Sequence, residues 1–141
     1  MLTLEMVEKL RSVGFSFPQF EQCDIGKTYF FNGKEYTVGG FWGKNTYYEY
    51  EQMIAQKGVW LPDANDLFEW LKLTGHSVTV NYKSDERYYY GEAENGTGQF
   101  FKGSGADIEC CLYKLIFKIC RDSNPVPMPE EILILSIENN P

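Results

Sequence analysis

GADIECCLYKLIFKICR, residues 105–121, has the clearest helical pattern in this sequence. Its apolar residues recur three and four positions apart, which is typical of one face of an amphipathic helix. That face comprises Ile108, Cys111, Leu112, Leu115 and Ile119, and it is widened by Cys110, Tyr113, Phe117 and Cys120. Only a narrow polar seam remains, formed by Asp107, Lys114, Lys118 and Arg121. We call this segment the anchor helix, and we expect it to be covered on more than one side, by a sheet and by a further element.

A helix and three strands are predicted before the anchor helix. Asp63 is positioned to cap a helix that runs to about Leu73, because its carboxylate can accept hydrogen bonds from the free amides of the first turn. Three segments follow that turn residues separate: the first alternates apolar with polar residues, the second carries Tyr88, Tyr89 and Tyr90, and the third carries Phe100 and Phe101. These segments are 76–83, 87–93 and 97–102. Residues 59–121 therefore predict an α-β-β-β-α core, an antiparallel three-stranded meander flanked by helices, and the fold class is α+β.

Residues 1–58 are expected to add an N-terminal helix and a β-hairpin to this core. Thr3 can cap a helix that ends near Gly14. Asn32-Gly33 lies between two aromatic or β-branched runs, which is the strongest local signal for a hairpin, with strands at about 28–31 and 34–38. Residues 45–57 fit either a short helix or an extended segment, and a helix from about Tyr48 is favoured.

The prolines of residues 122–141 predict an extended strap. The later apolar residues of the strap favour docking on the anchor helix, and docking on a partner is the open alternative. With 141 residues, the chain has the length of one ordinary domain. We therefore expect a single domain, 1–141, made of the subregions 1–58, 59–121 and 122–141.

The composition is acidic, with 20 acidic and 13 basic residues and a formal net charge of −7. This charge disfavours direct binding to nucleic-acid phosphates or anionic lipid, because the basic residues are scattered singly, and it favours a protein partner with a basic surface. The N-terminal segment contains acids and lacks a long apolar core, which predicts neither a secretory signal nor a membrane anchor. Three of the four cysteines lie on the anchor helix, where we expect buried, reduced thiols in a cytoplasmic protein.

No motif in the sequence points to catalysis. The single histidine, His76, lies at the mouth of a predicted strand, and no Ser or Cys occurs in a nucleophile motif. Helix capping, turns and a solvated strand edge explain the positions of the acidic residues. The spacing of the histidine and the acidic residues fits no metal site. We therefore expect no enzyme activity, no cofactor and no metal, with a small hydrolase using an acid pair as the alternative. The glycines at 103 and 105 resemble an anion-binding loop, but no Walker lysine follows them and a tight turn is predicted.

Tyrosines next to acids form the candidate binding surface. Phenolic hydroxyl groups need partners or water, so these tyrosines are not all expected in the core. Tyrosine combines contact area with a polar group, and neighbouring carboxylates attract a basic partner. The candidate residues are Tyr47, Tyr48, Tyr50, Tyr82, Tyr88, Tyr90, Glu92 and Glu94. The alternative is that cross-strand aromatic pairs only stabilise a small sheet.

The order of elements in 62–121 resembles a double-stranded-RNA-binding domain in outline, with Gly103-Ser104-Gly105 before the last helix. That family has lysines at the start of this helix, where they grip phosphates. This chain has Asp107, Ile108 and Glu109 there, so the principal RNA contact is missing. The departure argues against direct binding to RNA.

A second set of residues resembles small uncharacterised proteins of phages and prophages, including the phage sandwich-domain type. These hydrophobic signatures are Thr3-Leu4-Glu5 with Leu10 and Gly14-Phe15, Trp60-Leu61-Pro62 with Leu67-Phe68-Glu69-Trp70-Leu71, and the helix at 112–119. The resemblance implies an accessory protein of a mobile element and brings no active site. We expect a non-enzymatic protein-interaction module, with inhibition of a basic host protein as one role. A self-associating structural protein, forming a homodimer, is the alternative.

Overall fold

A computed structural model describes residues 1–16, 26–39 and 45–122 of the chain, with the side chains of 45–48 excepted. Within these residues lie four helices and two antiparallel sheets of three strands each, which confirms the predicted α+β class. The described residues fall into two compact units, one formed by 1–16 with 63–122 and the other by 26–39 with 45–62. The expectation of a single domain stays a prediction, and the predicted strap from Ser123 onward lies outside the described residues.

Ten elements follow one another along the described residues. In chain order they are α1 (Leu4–Ser12), β1 (Thr28–Phe31), β2 (Lys34–Thr37), α2 (Asn45–Lys57), β3 (Val59–Trp60), α3 (Ala64–Leu73), β4 (His76–Lys83), β5 (Tyr88–Asn95), β6 (Phe100–Gly105) and α4 (Ile108–Asp122). The larger unit contains α1, α3, α4 and the β4-β5-β6 sheet, and the smaller unit contains α2 and the β2-β1-β3 sheet. The N-terminal helix therefore groups with the predicted core and not with the hairpin.

Side-chain caps begin α1 and α3 at the predicted residues. Thr3 Oγ1 accepts a hydrogen bond from the Met6 amide at 3.2 Å, and Asp63 Oδ1 accepts one from the Asp66 amide at 2.9 Å. The Asp66 carboxylate accepts in return from the Asp63 amide at 3.0 Å, which completes a capping box. The predicted starts of both helices are confirmed, and a cap of this kind contributes about 1 kcal/mol.

The hairpin of the smaller unit turns at Asn32 and Gly33, whose φ angles of 53° and 78° lie in the left-handed region. A type I′ turn requires this region at both central residues, and Asn-Gly adopts it with little strain. The predicted hairpin is confirmed as β1 and β2. Residues 45–57 are helical, starting earlier than the predicted Tyr48, and the short strand β3, which was not predicted, pairs with β1.

The meander has the predicted strand order, and β4 has the predicted bounds. The third strand begins at Phe100, later than predicted, because Asn95 Oδ1 accepts hydrogen bonds from the amides of Thr97 and Gln99 and holds this segment in a turn. The strand then continues through residue 105. Residues 103–105 are therefore part of β6, and the tight turn predicted there is wrong.

The anchor helix is α4, and it begins at Ile108, later than predicted. Asp107 Oδ1 accepts a hydrogen bond from the Cys110 amide at 2.7 Å and so satisfies a free amide of the first turn. The buried side chains of α4 are Cys111, Leu112, Leu115, Ile116, Ile119 and Cys120. The helix contacts β5, β6, α3 and α1, which confirms cover on more than one side. The Met1 amino group also pairs with Glu109 at the start of α4.

Glycines on β5 and β6 allow α4 to approach the sheet closely. A Cβ atom placed at Gly91 would lie 2.8 Å from Cys111 Sγ and 3.0 Å from Leu115 Cδ1. One placed at Gly105 would lie 2.8 Å from Cys111 N, and one at Gly103 would lie 3.2 Å from Cys111 O. Larger residues at these positions would push the helix away from the strands, so the glycines are required by packing.

Candidate interaction surface

The β4-β5-β6 sheet has two faces of different character. Successive residues of a strand point to opposite faces, and directly paired antiparallel residues share a face. Because Gly91 of β5 lies against α4, its neighbours Tyr90 and Glu92 belong to the other face, which we call the open face. The open face comprises Ser77, Thr79, Asn81 and Lys83 of β4, Tyr88, Tyr90, Glu92 and Glu94 of β5, and Phe100, Lys102 and Ser104 of β6.

Four of the predicted binding residues, Tyr88, Tyr90, Glu92 and Glu94, lie in one row along the open face of β5. The Tyr90 hydroxyl donates a hydrogen bond to Glu92 Oε1 at 2.9 Å. This bond raises the pKa of Tyr90, with smaller effects from burial and neighbouring charge, so the phenol stays neutral at physiological pH. Phe100 lies opposite Glu94 and is 59% exposed, so the row ends beside an apolar ring.

The other four predicted binding residues do not join this row. Tyr82 pairs with Tyr89 on the opposite face, where the two rings stack with centroids 4.8 Å apart. For Tyr82 the structure therefore shows the cross-strand aromatic pairing that was the alternative prediction. Tyr50 belongs to the smaller unit, where its half-exposed ring meets a tyrosine of β2 edge-on at 5.9 Å. Tyr47 and Tyr48 lie on α2, and their side chains are outside the described residues.

A depression borders the open face at the β6 edge of the sheet, and we call it the basic depression. It has a volume of about 310 Å³ and is lined by Tyr90, Lys102, Gly103, Ser104, Lys114 and Lys118. Lys118 Nζ donates to the Lys102 carbonyl oxygen, and Lys83 Nζ lies 5.9 Å from the centre of the Tyr90 ring. Sequence reasoning missed this cluster because its lysines are far apart in the chain. The available signal was the spacing of Lys114 and Lys118, which places both on one helix face.

The side chains that could act as a catalytic base or nucleophile are buried or engaged in local contacts. His76 Nδ1 lies 3.0 Å from Thr74 Oγ1, and the imidazole ring meets Phe101 edge-on with centroids 6.1 Å apart. Burial lowers the pKa of His76, against the smaller opposing effect of backbone hydrogen bonds. Burial also raises the pKa of Cys111, and it raises that of Cys120 to about 12. Both thiols are therefore protonated and poorly nucleophilic.

The acids are distributed between caps and exposed turns. Asp63 and Asp66 are engaged in the α3 capping box, and Asp85 and Glu86 are exposed between β4 and β5. Within 1–16, 26–39 and 45–122, no group of three or more His, Cys, Asp or Glu side chains is arranged to hold a metal ion. None of the helices in the described part of the chain has the length and apolar character that a membrane crossing requires. The absence of enzyme activity stays a prediction.

Comparison of the chain with protein-family models, with curated proteins and with solved structures found no match. The resemblance to phage and prophage proteins therefore stays a prediction that depends on hydrophobic signatures in the sequence. The open face and the basic depression are the features of the described residues that bear on function.

Proposed function

We propose that this protein is a non-enzymatic interaction module that docks a basic protein surface on its open face. The observation that carries the proposal is the row of Tyr88, Tyr90, Glu92 and Glu94 along β5. The alternate residues of the same strand include Gly91 and the buried Ala93, which face α4. Packing of the sheet therefore explains the composition of one face and leaves the aromatic and acidic composition of the other unexplained.

Aromatic and acidic side chains in one row suit the recognition of lysine and arginine. Tyrosine provides a rigid contact area with a polar end, and carboxylates form charge-assisted hydrogen bonds with guanidinium and ammonium groups. Tyr88 and Tyr90 are partly exposed and Glu94 is exposed, so their polar atoms are within reach of a partner. Phe100 adds apolar contact area beside Glu94. The net charge of −7 increases the rate of encounter with a basic partner.

The nucleic-acid-binding groove of a host protein is the partner surface that we propose. Such a groove is lined by lysine and arginine that bind phosphates, and carboxylates in a row can replace those phosphates. Occupation of the groove would inhibit the host protein, which suits an accessory protein of a phage or prophage acting in the cytoplasm. The acidic composition, the row on β5 and the hydrophobic signatures of the sequence support this proposal.

Self-association was the alternative, and its argument required an uncovered second side of the anchor helix. α1 and α3 both contact α4 within the same chain. The buried side chains of α4, Leu115 and Ile116 among them, are covered without a second copy. Tyr113 and Phe117 on the second apolar side of α4 are partly exposed, so self-association through this side stays the alternative, and we expect a monomer in solution.

The experimental test compares a variant of the row with a variant of equal charge elsewhere. Glu92→Gln/Glu94→Gln removes two charges from the open face, and Glu8→Gln/Glu69→Gln removes two exposed charges from α1 and α3. Each protein is immobilised and exposed to bacterial lysate at about 50 mM and about 500 mM salt, between which the screening length falls about threefold. A captured protein is identified by mass spectrometry, and its affinity is then measured with purified components.

We expect capture of a nucleic-acid-binding protein at low salt and its loss at high salt. We also expect E92Q/E94Q to weaken the measured affinity about tenfold or more, and E8Q/E69Q to leave it unchanged. Equal weakening by the two variants would show that net charge alone is responsible and would contradict the role of the row. A dimer that captures no partner would contradict the whole proposal. Both variants should unfold within about 0.5 kcal/mol of the wild type, because all four positions are on the surface.

A further inference from the structure

The basic depression collects three lysines from two elements. Lys102 comes from β6, an edge strand of the sheet, and Lys114 and Lys118 come from α4. Because α4 packs directly against β6, the fold itself brings these charges together. The cluster is a local reversal of sign in a protein whose net charge is −7.

The lysines of the depression are not neutralised by described neighbours. Among the described residues, no carboxylate lies within 4.0 Å of the ammonium groups of Lys102, Lys114 or Lys118. Glu92 is the strand partner of Lys102, but its Oε1 accepts the hydrogen bond of the Tyr90 hydroxyl. Like charges at the spacing of Lys114 and Lys118 repel one another on a helix surface. A bound anion would remove this repulsion.

The depression also has polar and aromatic walls. The partly buried Ser104 also lines the depression and adds a hydroxyl donor. Lys118 is held in place because its Nζ donates to the Lys102 carbonyl oxygen. Tyr90 contributes its ring as a wall, since its hydroxyl already donates a hydrogen bond to Glu92. The site therefore offers ammonium groups and a hydroxyl to one compact ligand.

We propose that the basic depression binds the phosphate group of a small phosphorylated molecule. Phosphate carries up to two negative charges on oxygens that point in several directions, which matches ammonium groups arriving from different elements. Lysine binds phosphate as a point charge and does not need the planar geometry that favours arginine with carboxylates. The volume of about 310 Å³ is sufficient for a phosphate with part of the molecule that carries it.

A small ligand fits the charge distribution better than a nucleic acid does. Lys102 of β6 pairs with Glu92 of β5, and Glu94 follows Glu92 along β5 towards Phe100. A polyanion that continued along the sheet would meet these carboxylates, and the net charge of the protein would oppose it further. This inference does not depend on the proposed protein partner, because the lysines of the depression are not part of the row on β5.

The test is a titration of the ¹⁵N-labelled full chain with inorganic phosphate and then with pyrophosphate at constant ionic strength. We expect saturable amide shifts at Lys102, Ser104 and Lys114. Lys114→Gln should weaken binding about tenfold, the effect of losing one charge-assisted contact. The matched control is Lys72→Gln, which removes an exposed lysine from α3 in the same unit and should leave the affinity unchanged.

Three results would overturn the proposal. The first is the absence of saturation at about 10 mM ligand, which corresponds to a binding free energy weaker than about 3 kcal/mol. The second is an equal loss of phosphate affinity in K114Q and K72Q. The third is tighter binding of a short RNA duplex or single-stranded oligonucleotide than of pyrophosphate. The last result would assign the depression to nucleic acid. E92Q/E94Q distinguishes the two proposals, because removing neighbouring negative charge should leave phosphate binding intact or strengthen it. The phosphate proposal and the protein-partner proposal can therefore fail independently.

Discussion

The two faces of the β4-β5-β6 sheet differ in composition, although the same three strands form both. Against α4, β5 presents Gly91 and Ala93, both buried, and a Cβ atom at Gly91 would come too close to Cys111 Sγ. One residue away, the open face presents Tyr90 and Glu92, which are partly exposed and hydrogen-bonded to one another. The short distance to α4 limits the size of the side chain at Gly91, and no such limit acts at Tyr90 or Glu92. The close approach of α4 therefore requires small residues at Gly91, Gly103 and Gly105, whereas Tyr90 and Glu92 on the open face carry large and charged side chains.

From this difference we expect the helix face to determine stability, and we propose that the open face determines binding. Substitutions on each face test that division.

Removing a side chain from the helix face should destabilise the protein strongly. Leu115 of α4 is fully buried, and Leu115→Ala should lower the free energy of unfolding by about 2–5 kcal/mol, through lost burial and the cavity that remains. The matched substitution on the open face, Phe100→Ala, should change it by less than about 1 kcal/mol because that ring is 59% exposed. Urea denaturation followed by circular dichroism measures both. A comparable loss in the two variants would break the division between the faces.

Adding atoms to the helix face should also destabilise the protein, by a smaller amount. Gly91→Val places its Cβ 2.8 Å from Cys111 Sγ and should cost about 1–3 kcal/mol of unfolding free energy. Gly96→Ala is the control, because a Cβ atom at Gly96 meets nothing within 4 Å and the backbone there has no positive φ. We expect this control to stay within about 0.5 kcal/mol of the wild type in the same urea experiment. An unchanged stability for Gly91→Val would show that α4 does not pack closely on the strands.

His76 offers a smaller and pH-dependent test of the helix face. Burial holds its folded-state pKa below the ordinary value of 6.5, so the folded protein binds a proton less readily than the unfolded chain. The stability contribution is fully present above pH 6.5 and declines as pH falls below 6.5 through the folded-state pKa. Carboxylates titrate mainly below about pH 5, and the chain has no second histidine.

The measurement is the unfolding free energy at about pH 7 and about pH 5.5, where histidine is the side chain that changes charge. The wild type should lose stability between these values, and His76→Gln should lose less. Stabilisation of the wild type on acidification would mean that the imidazole is more easily protonated in the folded state. That outcome would contradict its burial beside Phe101.

Several elements could be predicted because their signals are local. The caps at Thr3 and Asp63 and the turn at Asn32-Gly33 are each formed by residues within three positions of one another. The anchor helix was predicted from its periodicity, which remains visible in the sequence whatever the helix contacts. The short strand β3 could not be predicted in this way, because two residues carry no periodic pattern and it exists by pairing with β1.

One part of the candidate site could also be predicted from local sequence, and the other part could not. Tyr88, Tyr90, Glu92 and Glu94 share a face because successive side chains of any strand alternate, and this needs only the sequence of β5. The basic depression needs the packing of α4 on β6, which brings Lys114 and Lys118 to Lys102. No spacing in the sequence specifies that approach.

The position of Tyr82 shows most directly what tertiary structure decided. A predicted turn at 84–86 would pair Lys83 with Arg87 and place Tyr82 on the same face as Tyr88. In the structure Arg87 belongs to the loop, with a φ of 59°, and Lys83 pairs with Tyr88. This one additional loop residue moves Tyr82 to the helix face, opposite Tyr89. Alternation within a strand is a local property of the backbone, but the register between two strands depends on the conformation of the turn and on which face can be buried.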